Sequence, residues 1–301
     1  MNNFIQAASL HLLFKLQMKT SLNYFVAVIA MVFTFASCSS DDNNTTNPTN
    51  ELDGLVKIQQ FDNDSHTIEL YSKNGLLQQG YNDINIRIKD KQSAAYVKNA
   101  TITWKPLMHM TMMTHACPYS ALTKTNAAGT LYNGFIVFTM PQNTTEYWDL
   151  EINYIIDGVN YTAISQIDVP ASAKRTLNTF TGTDGTKYVV AYIEPTAPKV
   201  AVNDLKVGVW KMENMMNFPM VNGYTVKIDP RMPSMGNHTS PNNVNAVQAN
   251  PGELYTGKLS LTMTGYWKIN LQLANTSGEI LKGETVTDAV EASSIFFEIE
   301  F

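Results

Sequence analysis

Methionine and histidine are concentrated in two segments of the chain, and together these residue types can bind a soft metal ion. Of the 15 methionines, 12 follow Cys38, and three of the four histidines after Cys38 lie among them. Thioether sulfur is a soft, neutral ligand that suits Cu(I), and imidazole binds copper in either oxidation state. The sequence therefore predicts copper binding in these two segments.

The first predicted site lies in the segment 108–118. Its candidate ligands are Met110, Met112, Met113 and His115, with Cys117 or His109 as an additional donor. Along an extended segment alternate side chains share a face, which would place Met108, Met110 and Met112 on one side.

The second predicted site lies in the segment 212–238. Its candidate ligands are Met232, Met235 and His238, supplemented by the loop Met212–Met220. Ser240 stands where the first segment has Cys117, so thiolate ligation would be confined to the first site. Zinc is less well matched, because thioethers are poor zinc ligands and no C-x-x-C or H-x₃-H spacing is present.

Two alternatives remain open for the same residues. Methionine is an adaptable filler of irregular gaps, so these segments could be loops that pack over the ends of the domains, with each histidine hydrogen-bonded to a loop carbonyl. The segments could also contact a protein partner. A packing role predicts that the methionine side chains are buried.

Catalytic motifs are absent from the sequence. It contains no G-x-S-x-G, no phosphate-binding glycine loop and no H-E-x-x-H. His115 and Cys117 could resemble a base and a nucleophile, but Cys117 has no counterpart in the second segment and no evident orienting carboxylate. We expect a protein that is not an enzyme.

The segment M-x-x-H-x-x-P occurs twice, at residues 112–118 and 235–241. The same offset of 123 residues relates Tyr132-Asn133-Gly134 to Tyr255-Thr256-Gly257 and Thr139-Met140 to Thr262-Met263. Further matched blocks are Asn82-Asp83-Ile84 with Asn203-Asp204-Leu205, and Tyr147-Trp148 with Tyr266-Trp267. Five blocks in the same order indicate an internal duplication.

Apolar and polar residues alternate in short runs throughout both copies, as in Ile84–Ile88 and Trp148–Tyr154. Period-2 runs separated by Asn, Gly and Pro turns are typical of antiparallel strands. The sequence predicts an all-β fold of two tandem immunoglobulin-like β-sandwiches, with Trp148 and Trp267 in their cores. We expect the first domain at 53–168, a linker at 169–183 and the second domain at 184–301.

The order of these blocks resembles the YtkA-like and FixH-like β-sandwich domains. In that family a Met-rich segment of the type M-x-M-x-x-H precedes a strand containing G-x-W. Met110, Met112, Met113 and His115 match the first element in one copy, and Met232, Met235 and His238 match it in the other. The resemblance implies an immunoglobulin-like fold, an exported or membrane-linked context and an association with copper handling.

The N-terminal residues predict export and lipid anchoring. Tyr24–Ala36 is an uncharged apolar run of signal-peptide length, and the small residues before Cys38 resemble a lipobox. We expect a signal peptide at 1–37, with translation starting at Met18, a lipid on Cys38 and a flexible tether over 38–52. Acidic residues after the cysteine favour the outer membrane of a Bacteroidota-type cell envelope, with its outer face as one possible location.

The charge balance restricts the partners. After Cys38 the chain has 19 basic and 26 acidic residues without a basic cluster, which argues against nucleic-acid binding. The expected partners are the membrane, through Cys38, and a copper-handling or envelope protein. Once Cys38 is acylated, Cys117 is the lone thiol and needs burial, a metal or a partner.

Overall fold

The structure is a computed structural model that describes residues 50–301. The predicted signal peptide, the predicted lipidation site at Cys38 and the predicted start at Met18 lie outside the described residues. Within residues 50–301 no helix has the length and apolar character to span a membrane. The helical content of this region is one short 3₁₀ turn at Pro233–Met235, and all other regular elements are strands.

The N-terminal strands, which we call the first copy, are β1 (Val56–Asp62), β2 (His66–Ser72), β3 (Gly80–Asp90), β4 (Thr101–His109), β5 (Thr114–His115), β6 (Thr123–Lys124), β7 (Leu131–Phe138), β8 (Tyr147–Ile156) and β9 (Val159–Ile167). One sheet has the order β1-β2-β3-β7-β6 and the other β5-β4-β8-β9. All pairings are antiparallel.

The C-terminal strands, the second copy, are β10 (Leu177–Thr181), β11 (Lys187–Glu194), β12 (Val202–Lys211), β13 (Thr225–Met232), β14 (His238–Thr239), β15 (Val244–Val247), β16 (Tyr255–Ser260), β17 (Tyr266–Ala274), β18 (Ile280–Lys282) and β19 (Phe296–Glu300). The sheet path is β10-β11-β12-β16-β15-β13-β17-β18, with β14 on β13 and β19 on β17. Because β15 pairs with both β16 and β13, it joins the two faces into one continuous sheet.

The pairing order is that of an immunoglobulin-type sandwich. β2-β3-β7-β6 in one sheet and β4-β8-β9 in the other correspond to the two sheets of a constant-type domain, with β1 added at an edge. The alternating side chains of both sheets enclose a core that includes Trp104, Trp148 and Ile86. An equivalent core in the second copy includes Trp267 and Tyr255. The prediction of an all-β antiparallel sandwich fold is confirmed.

The described residues from Glu51 to Phe301 form one compact unit. A third apolar cluster contains Val137 of the first copy together with Leu177, Val189, Ala191 and Trp210. Part of the stretch expected as a linker, 169–183, belongs to regular structure. Val169 lies in the first core, and Leu177 begins strand β10. The boundaries of two separate domains stay a prediction.

Candidate functional site

The hairpin of β4 and β5 positions the first methionine-histidine segment. Met108 pairs with His115 across the hairpin, and the Met110 amide donates to the Met113 carbonyl at 2.9 Å to close the turn. Met108 is fully buried in the core, whereas Met112 is 89% exposed and Met113 is 45% exposed. The turn interrupts the alternation after His109, so the expectation that Met108 and Met112 share one face is wrong.

His115 lies half-buried beside the core. Its Nδ1 is 2.7 Å from the Ala116 carbonyl oxygen, and its ring meets Trp148 edge-on with 5.8 Å between centroids. A neutral imidazole that donates from Nδ1 carries its lone pair on Nε2, which is the usual arrangement of a metal-binding histidine. The same contact also fits a histidine that only braces the loop, so it is compatible with both interpretations.

The His109 side chain lies on the opposite face of the hairpin from His115. Its Nε2 is 2.9 Å from Asp149 Oδ2 and its ring stacks on Tyr147 at 4.9 Å. The separation is that of an ion pair, although the ring N–H is not aligned for a hydrogen bond. His109 shares its face of the hairpin with Thr114, opposite to His115. The structure therefore does not bring His109 to the candidate ligands.

Cys117 is a core residue. Its side chain is fully buried, and burial raises the pKa of the thiol well above its usual value. The equivalent Ser240 is also buried and donates to the Ser260 carbonyl at 2.5 Å. Packing rather than ligation therefore accounts for Cys117, and we correct its assignment as an accessible copper donor.

The predicted ligands of the second copy are divided between core and surface. Met232 is 3% exposed and packs into the core, so it is removed from the accessible donors. Met235 ends the 3₁₀ turn and is 57% exposed. His238, on β14, pairs with Met232 at the end of β13, and its side chain is exposed to solvent. Two potential donors, Met235 and His238, remain at this surface.

The loop Met212–Met220 lies against the first copy instead of supplementing the second site. The Ala116 amide donates to the Met215 carbonyl at 2.8 Å. Met215 and Met216 are 42% and 41% exposed, and Met220 packs on the third apolar cluster. The structure thus joins two methionine segments from different copies, and no spacing within the sequence indicates this contact.

Other repeated residues have structural roles. Trp148 donates to the Met140 carbonyl and Trp267 to the Met263 carbonyl, both at 3.0 Å. The hydroxyl of Tyr132 contacts the backbone at Lys98 and Ala100, as that of Tyr255 contacts Val221. The aromatic blocks of the duplication therefore preserve the same core contacts in each copy.

Most of the solvent-accessible side chains that could bind a metal at the contact between Ala116 and Met215 are methionines. Among residues 50–301 no three His, Cys, Asp or Glu side chains converge as a possible metal site. On the two loops joined by the Ala116–Met215 hydrogen bond, the thioethers of Met112, Met113, Met215 and Met216 are exposed and the His115 imidazole is half-buried. Such a donor set matches a soft monovalent ion better than a hard divalent one.

No protein-family model matches the chain, and no curated protein matches it. Among solved structures, a chimeric titin Z1Z2-Z1Z2 tandem functionalized with a GRGDS exogenous peptide from fibronectin is similar at 11% sequence identity. The alignment covers 67% of this chain and 88% of that chain, with a TM-score of 0.19. A TM-score this low carries no argument, so the candidate site stands on its own residues.

Proposed function

We propose that this chain is a lipid-anchored, exported, non-enzymatic protein that binds copper(I) where the two methionine loops meet. The observation that carries the proposal is the hydrogen bond from the Ala116 amide to the Met215 carbonyl. It fixes the backbone of the 110–117 loop against that of the 212–220 loop.

Exposure of the methionines supports this proposal over a packing role. Met112, Met113, Met215 and Met216 keep between 41% and 89% of their surface in solvent. A methionine that only fills a gap would be buried, as Met108 and Met232 are. Solvent access is needed for a metal ion to reach the thioethers.

The imidazole of His115 would add a nitrogen donor to this set. Its Nδ1 is directed at the Ala116 carbonyl, which leaves Nε2 as the coordinating nitrogen of the neutral ring. Ala116 provides both that carbonyl and the amide bound to Met215, so the histidine and the second loop are joined to one residue.

Cu(I) titration against a competing chelator tests the site, using the chain from residue 39 onward. We expect one Cu(I) per chain with a dissociation constant tighter than about 1 μM. The double variant His115→Ala with Met215→Leu should weaken binding at least about tenfold, because it removes one donor from each loop.

The matched control is His238→Ala with Met235→Leu, which removes the exposed donors of the second copy alone. It should leave the affinity of the first site unchanged. Binding weaker than micromolar, or an equal loss in both double variants, would contradict the proposal.

The anchoring part of the proposal rests on the residues around Cys38 and on the resemblance to YtkA-like and FixH-like domains. Mass spectrometry of the mature N-terminal peptide tests it directly. A diacylglyceryl group on Cys38 is the expected result, and an unmodified residue 38 in the mature protein would contradict it.

The second candidate is an interaction module of the cell envelope that binds no metal. The exposed methionines favour it as well, because flexible thioether side chains adapt to the surfaces of protein partners. In that case the same titration shows no Cu(I) binding by either the parent or the variants.

A further inference from the structure

The second copy contains a loop between β18 and β19 that the first copy lacks. In the first copy β9 runs without interruption from Val159 to Ile167 along β8. In the second copy this position is divided between β18 and β19, which pair with different parts of β17. The intervening residues 283–295, which we call the excursion loop, leave the sheet and return to it.

The excursion loop is attached to the sandwich at its base. Ser293 is buried and its hydroxyl donates to the Leu271 carbonyl at 2.7 Å. The Ser293 amide donates to Asn270 Oδ1 at 2.9 Å. The Glu284 carboxylate accepts from the Ser294 amide at 2.5 Å and closes the loop.

A second attachment holds the far part of the loop. Asn237, in the turn before β14, donates through Nδ2 to the Glu291 carbonyl at 3.0 Å. Compact surface loops with close ends and internal attachment are frequently functional. The excursion loop is therefore held by hydrogen bonds to the neighbouring strand and turn.

A cleft of about 600 Å³ lies between the excursion loop and the ends of β13 and β17. Its strand side is provided by Arg231 and Lys268, and its loop side by Thr287, Asp288 and Glu291. The volume is within the range of roughly 300–1,000 Å³ that is usual for small-molecule sites.

The strand side of the cleft presents one cation without a salt bridge, Lys268, beside Arg231, whose charge is paired with Asp229. Arg231 and Lys268 are direct cross-strand partners, and like charges in that position are unfavourable. Asp229 binds the Arg231 guanidinium through two contacts of 2.9 Å. Among the described residues Lys268 forms no salt bridge within 4.0 Å, its cross-strand partner on β19 is Glu298, and its Nζ lies 4.4 Å from the centroid of the Phe296 ring.

The loop side of the cleft is anionic. Asp288 and Glu291 are exposed, and neither forms a salt bridge within residues 50–301. Within residues 50–301 no salt bridge crosses the cleft from Lys268 to either carboxylate. Apolar contacts from Pro233, Val286 and Ala292 complete the lining.

We propose that this cleft binds a short peptide in its zwitterionic form. Its carboxylate would lie at Lys268, its ammonium group at Asp288 and Glu291, and its small apolar side chains against Pro233 and Val286. Opposite charges on opposite walls orient a ligand that carries both. The first copy has Leu107 paired with Asp149 at the equivalent strand positions and no excursion loop. The site is therefore confined to the second copy and is independent of copper binding.

Isothermal titration of the full mature protein in detergent tests the assignment with free trialanine as the probe. N-acetyl-trialanine removes the ammonium charge and trialanine amide removes the carboxylate. Trialanine should bind, and each capped form should bind at least about tenfold more weakly. Absence of trialanine binding, or loss on capping one end alone, overturns the proposal.

Two variants localise the binding. Lys268→Met should weaken trialanine binding at least about tenfold, whereas Lys187→Met, at an exposed position on β11, should not. Asp288→Asn, on the exposed excursion loop, gives a second test that does not alter the sheet. Unchanged binding in Asp288→Asn, or equal loss in Lys187→Met and Lys268→Met, overturns the location.

Discussion

Methionines that are close in the sequence have different environments in this protein. Met108 and Met232 lie at the ends of β4 and β13 with their side chains in the cores, whereas Met112 and Met235 follow them in turns and are exposed. The repeated Met-x-x-His segment therefore begins with a surface methionine in each copy, Met112 and Met235. Composition alone does not separate the two environments, because thioethers are tolerated in both.

Burial of His66 makes the stability of the protein dependent on pH. His66 is 4% exposed, its Nδ1 is 3.1 Å from the Tyr154 hydroxyl, and its Nε2 is 3.8 Å from Asp90. Desolvation lowers the pKa of His66, partly opposed by Asp90. The unfolded chain therefore binds the proton more readily, so the free energy of unfolding falls as the pH drops below about 6.5.

Urea unfolding at several pH values between about 5 and 7.5 measures this effect. We expect the free energy of unfolding to decrease toward pH 5 in the parent, and His66→Gln to flatten the curve. Exposed His238 is the matched position, and His238→Gln should leave the dependence intact. An identical slope in parent and His66→Gln would show that another group is responsible.

At the scale of elements, repeated polar residues hold equivalent turns. The Asn82 side chain accepts from the Gln78 amide and donates to the Gln78 and Gly80 carbonyls. Asn203 makes the same set of contacts with Lys199 and Ala201. In the repeated Asn-Asp block the asparagine side chain therefore holds the turn at the start of β3 and of β12. The repeat in the sequence did not indicate this role, which follows from the hydrogen bonds in the structure.

Gly283 begins the excursion loop at a position that excludes a side chain. A Cβ there would lie 2.1 Å from the Leu271 carbonyl oxygen, and φ is +95°. We expect Gly283→Ala to destabilise the protein by about 3 kcal/mol or more, because it combines backbone strain with a clash against β17.

Gly278→Ala is the control for backbone strain alone, since Gly278 has φ of +85° and open space around its Cα. Its expected cost is about 1 kcal/mol. Chemical denaturation of both variants measures the difference. Equal costs would mean that the loop shifts away from Leu271 without penalty.

At the scale of the whole molecule, the third apolar cluster contains buried residues of both copies. Trp210 is 2% exposed, and its ring is 5.8 Å from that of Phe135 in the first copy. Trp210 also lies against Gly208, where a Cβ would be 1.9 Å from its ring. Because this cluster contains buried residues of both copies, we expect the two copies to unfold cooperatively.

Calorimetry tests this coupling. The parent should unfold in one transition, and Trp210→Ala should lose about 3–5 kcal/mol and separate the unfolding into two transitions. Val247→Ala, at a position 47% exposed, is the control and should change neither feature. Two transitions in the parent would contradict the coupling.

The sequence alone determined the antiparallel strands, the duplicated blocks and the core tryptophans. Each of these depends on local alternation or on a repeated pattern, and burial of one face of a strand requires such a pattern. For this reason the alternation around Trp148 and Trp267 is enough to assign both side chains to the cores. The surface position of the methionines could not be assigned in the same way, because a turn has no fixed period.

Tertiary structure alone decided which loops meet. Met215 of the second copy lies beside Ala116 of the first, and Val137 of the first copy packs with Val189 and Trp210 of the second; no local pattern encodes that packing. The same applies to the cleft, where Lys268 and Asp288 are brought together by a loop that leaves and rejoins one sheet. Contacts between distant segments depend on the free energy of burying whole faces, which individual motifs do not report.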